Sequence, residues 1–94
     1  MTFADAVATE VARARAAYPP MHSPHEGLAV LQEEVHELQA EVYRKQAQHD
    51  PAAMRAECVQ IAAMAQRFAE DVLGAARAAG GTWPTQAGGT GGRL

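Results

Sequence analysis

Apolar residues recur every three or four positions along three stretches of the chain, a spacing that predicts three amphipathic helices. The first helix is expected to begin at Thr2, with Asp5 in a capping-box position, and to run to about Ala17. The two prolines that follow Tyr18 should end it, because proline disfavours helical backbone in the residue before it. Its apolar positions are Phe3, Val7, Val11 and Ala14.

The second predicted helix has a clear start. Ser23 is the expected cap, Pro24 occupies the first helical position, and Glu26 should close a capping box. The helix is expected to fade near residues 46–48. Its apolar stripe consists of Leu28, Leu31, Val35, Leu38 and Val42.

The third predicted helix opens at Asp50 and Pro51 and should end at the glycine pair that begins with Gly80. Gly74 lies inside it and is expected to mark a bend or fraying. A short loop joins it to the second helix, so the two should form an antiparallel hairpin. Its predicted stripe is Met54, Cys58, Ile61, Ala65, Phe68, Val72 and Ala75.

The last residues have a different composition, rich in glycine and threonine. Such a segment cannot bury an apolar face, so residues 80–94 are predicted to be a flexible tail. Trp83 is either an anchor for this tail or a partly exposed side chain. The sequence therefore predicts a helical domain over residues 1–79, followed by the tail.

Composition favours an oligomer. The chain has 94 residues, which indicates one small domain, and 48% of them are hydrophobic, but many of these are alanine. Small side chains contribute little burial each, and a domain of this size is marginal alone. We therefore expect an all-α fold, a short N-terminal helix plus the long hairpin, completed as a helical bundle by a second copy.

Charge and apolar run lengths exclude several classes of protein. A net charge of −3 without a basic run argues against nucleic-acid binding. No apolar run is long enough to cross a bilayer, and the first residues do not resemble a secretory signal. A single cysteine, Cys58, permits no disulfide within the chain. These observations predict a cytoplasmic protein with no membrane partner.

Two pairs of oxygen-bearing side chains carry the candidate chemistry. Glu34 and Glu37 are three residues apart on the second helix, and Glu57 and Gln60 are three apart on the third. Residues at this spacing share one helix face. Both pairs flank the apolar stripes, so they can meet across an interhelical groove and hold a hard cation such as Mg²⁺. The alternative is a set of solvated acids that serve solubility.

The order and spacing of these pairs resemble the MazG-like, all-α nucleotide pyrophosphohydrolases. That family has an E-x-x-E pair on one helix and an E-x-x-D pair on the next. Glu34 and Glu37 match the first pair, and Glu57 matches the start of the second. The stretches at 23–27 (Ser-Pro-His-Glu-Gly) and 62–65 (Ala-Ala-Met-Ala) also resemble small actinobacterial and phage members. The matches cover about residues 18–72.

The resemblance implies a Mg²⁺-dependent hydrolase, with Mn²⁺ as a substitute, that converts a nucleoside triphosphate to the monophosphate and pyrophosphate. Glu34, Glu37 and Glu57 would be the catalytic residues and, with Gln60, the metal ligands. Glu33 or Glu37 would assist as a base. Homodimers or homotetramers are implied as well.

One departure from the family leaves an alternative open. Gln60 stands where the family usually has aspartate, so the site has three carboxylates rather than four. The chain is then either an enzyme or a catalytically weak or inactive helical module that oligomerises or binds nucleotide.

A di-iron carboxylate centre is a further alternative, because Glu33 and His36 form one Glu-x-x-His pair. The pair faces away from Glu34, and the chain has no second Glu-x-x-His pair.

Other side chains have simpler expected roles. Arg67 and Asp71 should form an i,i+4 ion pair, Cys58 should be buried, and Arg44 and Lys45 should end the second helix. For His25 a surface or capping role is favoured over a phosphate contact.

Overall fold

The computed structural model describes residues 1–74 and Gly80. Within them the chain is all-α, with no strand, as the sequence predicts. The helices are α1 (Phe3–Ala17), α2 (Pro24–Val42) and α3 (Pro51–Arg67), and α3 continues into a π-helical segment, Phe68–Leu73. The predictions for Ala75, Trp83 and the tail, apart from Gly80, lie outside the described residues.

The predicted helix starts are confirmed, with one correction. Thr2 and Asp5 form the expected capping box at α1, and Asp50 caps α3 through the backbone amides of its first turn. Ser23 accepts a hydrogen bond from the Glu26 amide at 3.1 Å. The Glu26 carboxylate, however, accepts from the His22 amide at 2.6 Å. The reciprocal half of the predicted capping box is therefore displaced by one residue.

The end of α2 comes earlier than predicted. The helix stops at Val42, and residues Gln46–Gln48 form a separate 3₁₀ turn. Arg44 and Lys45 therefore lie beyond the helix and do not belong to its last turn. Here α2 has no glycine or proline to mark its end, which explains why periodicity alone placed the boundary too late.

The buried face of α3 differs from the predicted stripe. Val59, Ala63 and Arg67 are buried, whereas Cys58 and Ala65 of the stripe are exposed. At about 100° per residue, the buried set lies roughly opposite the stripe. The prediction that Cys58 is buried is wrong. Because α3 packs against both α1 and α2, and alanine occurs all round it, apolar periodicity could not identify the core side.

The π-helical segment packs closely against the start of α2. A Cβ atom added at Gly27 would overlap the Phe68 ring, with Cε2 only 2.8 Å away. Gly74, where the sequence indicates a bend, is helical with φ −63°. The irregularity thus lies in the turn and a half before Gly74, over residues 68–73.

Polar contacts tie this segment to the other helices. The Asp71 carboxylate accepts hydrogen bonds from the Arg15 guanidinium at 2.7 Å and from the Met21 amide at 3.0 Å. Arg15 also pairs with Glu70 at 2.6 Å. Arg67 lies 4.0 Å from Asp71, so the predicted i,i+4 pair forms only as a long ion pair. Asp71 is mainly a partner of α1 and of the loop after it.

The core is small. Among the described residues, the buried hydrophobic side chains come from α1, the loop after it, α3 and the π segment; they are Val11, Ala14, Met21, Val59, Ala63, Met64 and Val72. In contrast, Leu28, Val35 and Val42 of the predicted α2 stripe are nearly half exposed. None of the described helices combines the length and the apolarity that crossing a membrane requires.

Candidate metal centre

Three of the four predicted site residues lie together between α2 and α3. Glu34, Glu37 and Glu57 each offer a carboxylate oxygen, and the three oxygens lie within 4.8 Å of one another. Glu34 and Glu37 are brought together by one turn of α2, and the packing of α3 on α2 adds Glu57. The interhelical meeting of acids expected from the sequence is present in the structure.

The environment of these acids opposes their negative charge. Burial, followed by repulsion from Glu37 and Glu57, raises the pKa of Glu34 to about 7. Burial is also the main cause that raises the pKa of Glu57, with smaller contributions from Glu37 and Glu41. Acids that serve only solubility would lie apart in water and keep ordinary values. A cation between them would offset both the burial and the repulsion.

Unsatisfied oxygens support the same conclusion. Oε1 of Glu34 and Oε1 of Glu57 are buried and have no hydrogen-bond partner among the described residues. A buried carboxylate oxygen without a partner is costly and rare in folded proteins. Carboxylate oxygens are the ligands that Mg²⁺ and Mn²⁺ prefer. The residues present therefore fit a hard divalent cation.

Gln60 lies one turn after Glu57 on α3 and faces a neighbouring cavity whose wall also includes Glu34. Its amide contributes, less than the Arg13 guanidinium does, to holding the pKa of Glu10 below its usual range. Gln60 is thus close to both α1 and the acids. That it ligates the cation remains a prediction.

The cavity was not predicted from the sequence. Its volume is about 340 Å³, and it lies between the end of α1, the loop that follows, α2 and α3. Arg67, only 5% exposed, forms part of the wall. Arg67 lies opposite the apolar stripe of α3, so no periodic signal could have indicated that an arginine is buried there.

The di-iron alternative finds no support in the geometry. Glu33 and His36 are exposed and line a shallow surface depression with Gln32. They lie outside the group formed by Glu34, Glu37 and Glu57, which is the sole cluster of three potential ligands among the described residues. His25 is exposed in the first turn of α2.

Comparisons of the chain with protein-family models, with curated proteins and with solved structures found no match.

Proposed function

We propose that the chain is a divalent-metal-dependent nucleoside triphosphate pyrophosphohydrolase that releases pyrophosphate and leaves the monophosphate. The observation that carries the proposal is the convergence of Glu34, Glu37 and Glu57, with two buried oxygens that lack partners. Three carboxylates provide a site for one hard cation and leave coordination positions for water and phosphate oxygens. The resemblance of the two motifs to the MazG-like enzymes supplies the substrate class.

The protein side chains have distinct roles in this proposal. Glu34, Glu37 and Glu57 would hold Mg²⁺ or Mn²⁺, with Gln60 as a neutral fourth ligand. When bound, the cation would neutralise phosphate charge and lower the pKa of a coordinated water. In the proposed reaction a water molecule would attack the α-phosphorus, and the bond from the α-phosphorus to the bridging oxygen would break as pyrophosphate leaves.

A carboxylate near the cluster must accept the proton that the water loses. Glu37 belongs to the cluster, whereas Glu33 lies on the outward face beside His36. Of the two residues considered from the sequence, the placement favours Glu37. Its exposure also allows the proton to pass to solvent.

A panel of ribo- and deoxyribonucleoside triphosphates, assayed for pyrophosphate release with Mg²⁺ or Mn²⁺, tests the proposal. We expect turnover of at least one triphosphate, and loss of at least about 100-fold in Glu34→Gln or Glu37→Gln, since even partners of metal ligands are worth about 10–100-fold. EDTA should abolish the activity. Wild-type pyrophosphate release no faster than that of the variant that carries both Glu34→Gln and Glu37→Gln would refute the enzyme proposal.

The alternative, a catalytically weak or inactive oligomerisation or nucleotide-binding module, is favoured by one observation. Gln60 adds no charge where a fourth carboxylate would strengthen the cation site. We expect Gln60→Asp to tighten Mn²⁺ binding about tenfold, measured by calorimetry. Gln39→Asp, the same change at an exposed position of α2, is the control and should leave affinity unchanged.

The two outcomes of this substitution separate the hypotheses. If Gln60→Asp turns an inactive protein into an active one, the wild-type chain is the degenerate module. If the wild type is already active and Gln60→Asp changes turnover only modestly, three carboxylates suffice. Equal Mn²⁺ affinity in Gln60→Asp and Gln39→Asp would contradict the placement of Gln60 in the metal centre.

We also propose that a second copy of the chain completes the fold. Leu28 and Val35 of α2 are 49% and 44% exposed, and Leu28 lines an apolar groove together with Ala65 of α3 and Phe68 of the π-helical segment. These side chains form one outward surface of α2 and α3. Its burial would add to a core that is small for an independent domain. The predicted antiparallel hairpin would then contribute α2 and α3 to a helical bundle of two or four copies.

A further inference from the structure

The cavity beside the metal centre is suited to a single planar ring. Its volume of about 340 Å³ is at the lower end of the range of about 300–1,000 Å³ found for small-molecule sites. Glu34 belongs both to its wall and to the carboxylate cluster. A group bound in the cavity would therefore lie next to phosphates held at the metal centre.

Two methionines give the cavity its apolar character. Met21 and Met64 are 4% and 5% exposed, and both line it together with Val30 and Tyr18. Methionine is flexible and polarizable, and its sulfur makes favourable contacts with aromatic rings. These walls favour a flat heteroaromatic group over a sugar or a chain of phosphates.

Arg67 provides an unsatisfied donor. One of its Nη atoms donates to the Pro19 carbonyl at 3.0 Å, and the other contacts the Met64 sulfur at 3.6 Å. Its buried Nε has no hydrogen-bond partner among the described residues. The nearest carboxylate, Asp71, is 4.0 Å away and is engaged by Arg15 and by the Met21 amide. These contacts engage two of the five N–H donors of the guanidinium, so Arg67 keeps donors for an acceptor atom of a ligand in the cavity, and such a hydrogen bond would be charge-assisted.

The charges around the cavity argue against a phosphate as its occupant. Arg13 already forms a salt bridge with Glu10, and the same wall carries the carboxyl groups of Glu26 and Glu34, of which Glu34 adds negative charge above about pH 7. The balance of charge favours a neutral ring with an acceptor atom over an anion. Gln60 also lines the cavity, and its amide nitrogen can donate to a polar ring edge.

We propose that this cavity holds the base of the nucleotide and that Arg67 donates to a ring carbonyl oxygen. The ligand class rests on the proposed function, whereas the role of Arg67 rests on its burial, its place in the cavity wall and its donors that have no acceptor among the described residues. Because arginine only donates, Arg67 distinguishes bases by the exocyclic group that faces it. Uracil, thymine and guanine present an exocyclic carbonyl oxygen, whereas adenine presents an amino group that also donates and cannot accept from Arg67. Arg67 is then a specificity-determining residue that selects against adenine.

Nucleoside binding to the full chain in EDTA tests this inference without metal, phosphate or turnover. The probes are uridine, guanosine and adenosine, followed through the methyl NMR signals of the methionines. Met21 and Met64 line the cavity, while Met1 and Met54 lie outside its wall and are internal controls. We expect uridine and guanosine to shift the Met21 and Met64 signals alone, and adenosine to bind about tenfold more weakly, the effect of losing one charged hydrogen bond.

Substitution of Arg67 gives the second measurement. Arg67→Met keeps a long side chain of apolar character and removes every donor, so it should weaken uridine binding about tenfold and abolish the preference over adenosine. Arg67→Lys should restore part of that preference. If Arg67→Met does not fold, as judged by circular dichroism, the affinities of the wild type for uridine and for adenosine still test whether the cavity prefers a base with a carbonyl oxygen.

Several results would overturn the inference: shifts at Met1 or Met54 instead of the cavity methionines, no nucleoside binding, equal binding of adenosine and uridine, or an unchanged preference in a folded Arg67→Met. Failure of the proposed function has a different signature. Uridine would then shift Met21 and Met64 while no triphosphate is hydrolysed. If wild type and Arg67→Met both hydrolyse triphosphates with the same base preference, the enzyme proposal stands and the role of Arg67 is refuted.

Discussion

At the scale of single residues, the carboxyl group of Glu34 shows how position changes chemistry. Its partners Glu37 and Glu57 are acids too, and burial plus their repulsion raises its pKa to about 7. The spacing of the acids made their proximity predictable. The pKa shift was not predictable, because it depends on how far α3 covers the α2 face that carries Glu34.

A pH dependence of stability follows from this shift. Between about pH 4.3, the usual glutamic acid pKa, and about 7, Glu34 is protonated in the folded chain and ionised in the unfolded chain. The folded state then binds more protons, so stability falls as pH rises through this window. We expect the melting temperature in EDTA to be lower at pH 8 than at pH 5.5. Bound Mg²⁺ or Mn²⁺ should raise it more at pH 8, because the cation needs ionised ligands.

Glu34→Gln is the control for this dependence, since it removes the group with the larger shift and should reduce the slope between pH 5.5 and 8; Glu57, whose pKa is also raised, contributes the remainder. Asp5 and Glu10 have lowered pKa values, so their contributions are lost only at lower pH, outside the window. A wild-type melting temperature that rises from pH 5.5 to pH 8 in EDTA would contradict the raised pKa of Glu34.

At the scale of helices, short-range sequence signals explain where the helices begin, whereas packing between helices explains which of their sides are buried. Caps such as Thr2 and Asp50 are short-range hydrogen-bonding patterns, and they were read correctly from the sequence. The buried side of α3 and the π-helical segment were not predicted. The buried side is set by the contact of α3 with both α1 and α2, and the alanines of α3 leave its hydrophobic pattern too even to indicate that side.

The contact between Gly27 and Phe68 can be tested by adding one methyl group. In Gly27→Ala the new Cβ would overlap the Phe68 ring. We expect a loss of about 1–3 kcal/mol, typical of overpacking, and a melting temperature at least about 4 °C lower. Thermal unfolding followed by circular dichroism measures the change.

Gly74→Ala is the matched control, because Gly74 is helical and nothing lies within 4 Å of an added Cβ. Alanine is the better helix former, so Gly74→Ala should be neutral or more stable by about 0.5–1 kcal/mol. Equal effects of the two substitutions would mean that Gly27 and Phe68 are not closely packed.

At the scale of the whole molecule, the core is small because part of the apolar stripe of α2 stays exposed. The apolar positions of α2 centre between Leu31 and Val42, and among the described elements α2 contacts α3 and the π-helical segment, which cover only part of this stripe. Val30 and Leu31 reach the core, whereas Leu28, Val35 and Val42 remain exposed. The stripe thus exceeds what a single copy can bury.

We expect Val35→Glu to dissociate the proposed oligomer, since a carboxylate at the centre of an apolar contact would be desolvated without a partner. Ala40→Glu adds the same charge at an exposed position on the other side of α2 and should leave the oligomer intact. Light scattering coupled to size-exclusion chromatography gives the molar mass of each. A monomeric wild type over the micromolar range, or an unchanged mass in Val35→Glu, would contradict the proposed interface.

The sequence by itself determined the all-α class, the helix starts and the set of acids that could meet, because caps, prolines and i,i+3 spacing act within a few residues. Tertiary structure decided which side of α3 is buried, that Cys58 is exposed, and that Arg67 lines a cavity next to Glu34. It also decided the pKa of Glu34. These properties depend on where α1 and α2 lie around α3, and in an alanine-rich helix several packing sides are nearly equivalent until the other helices are in place.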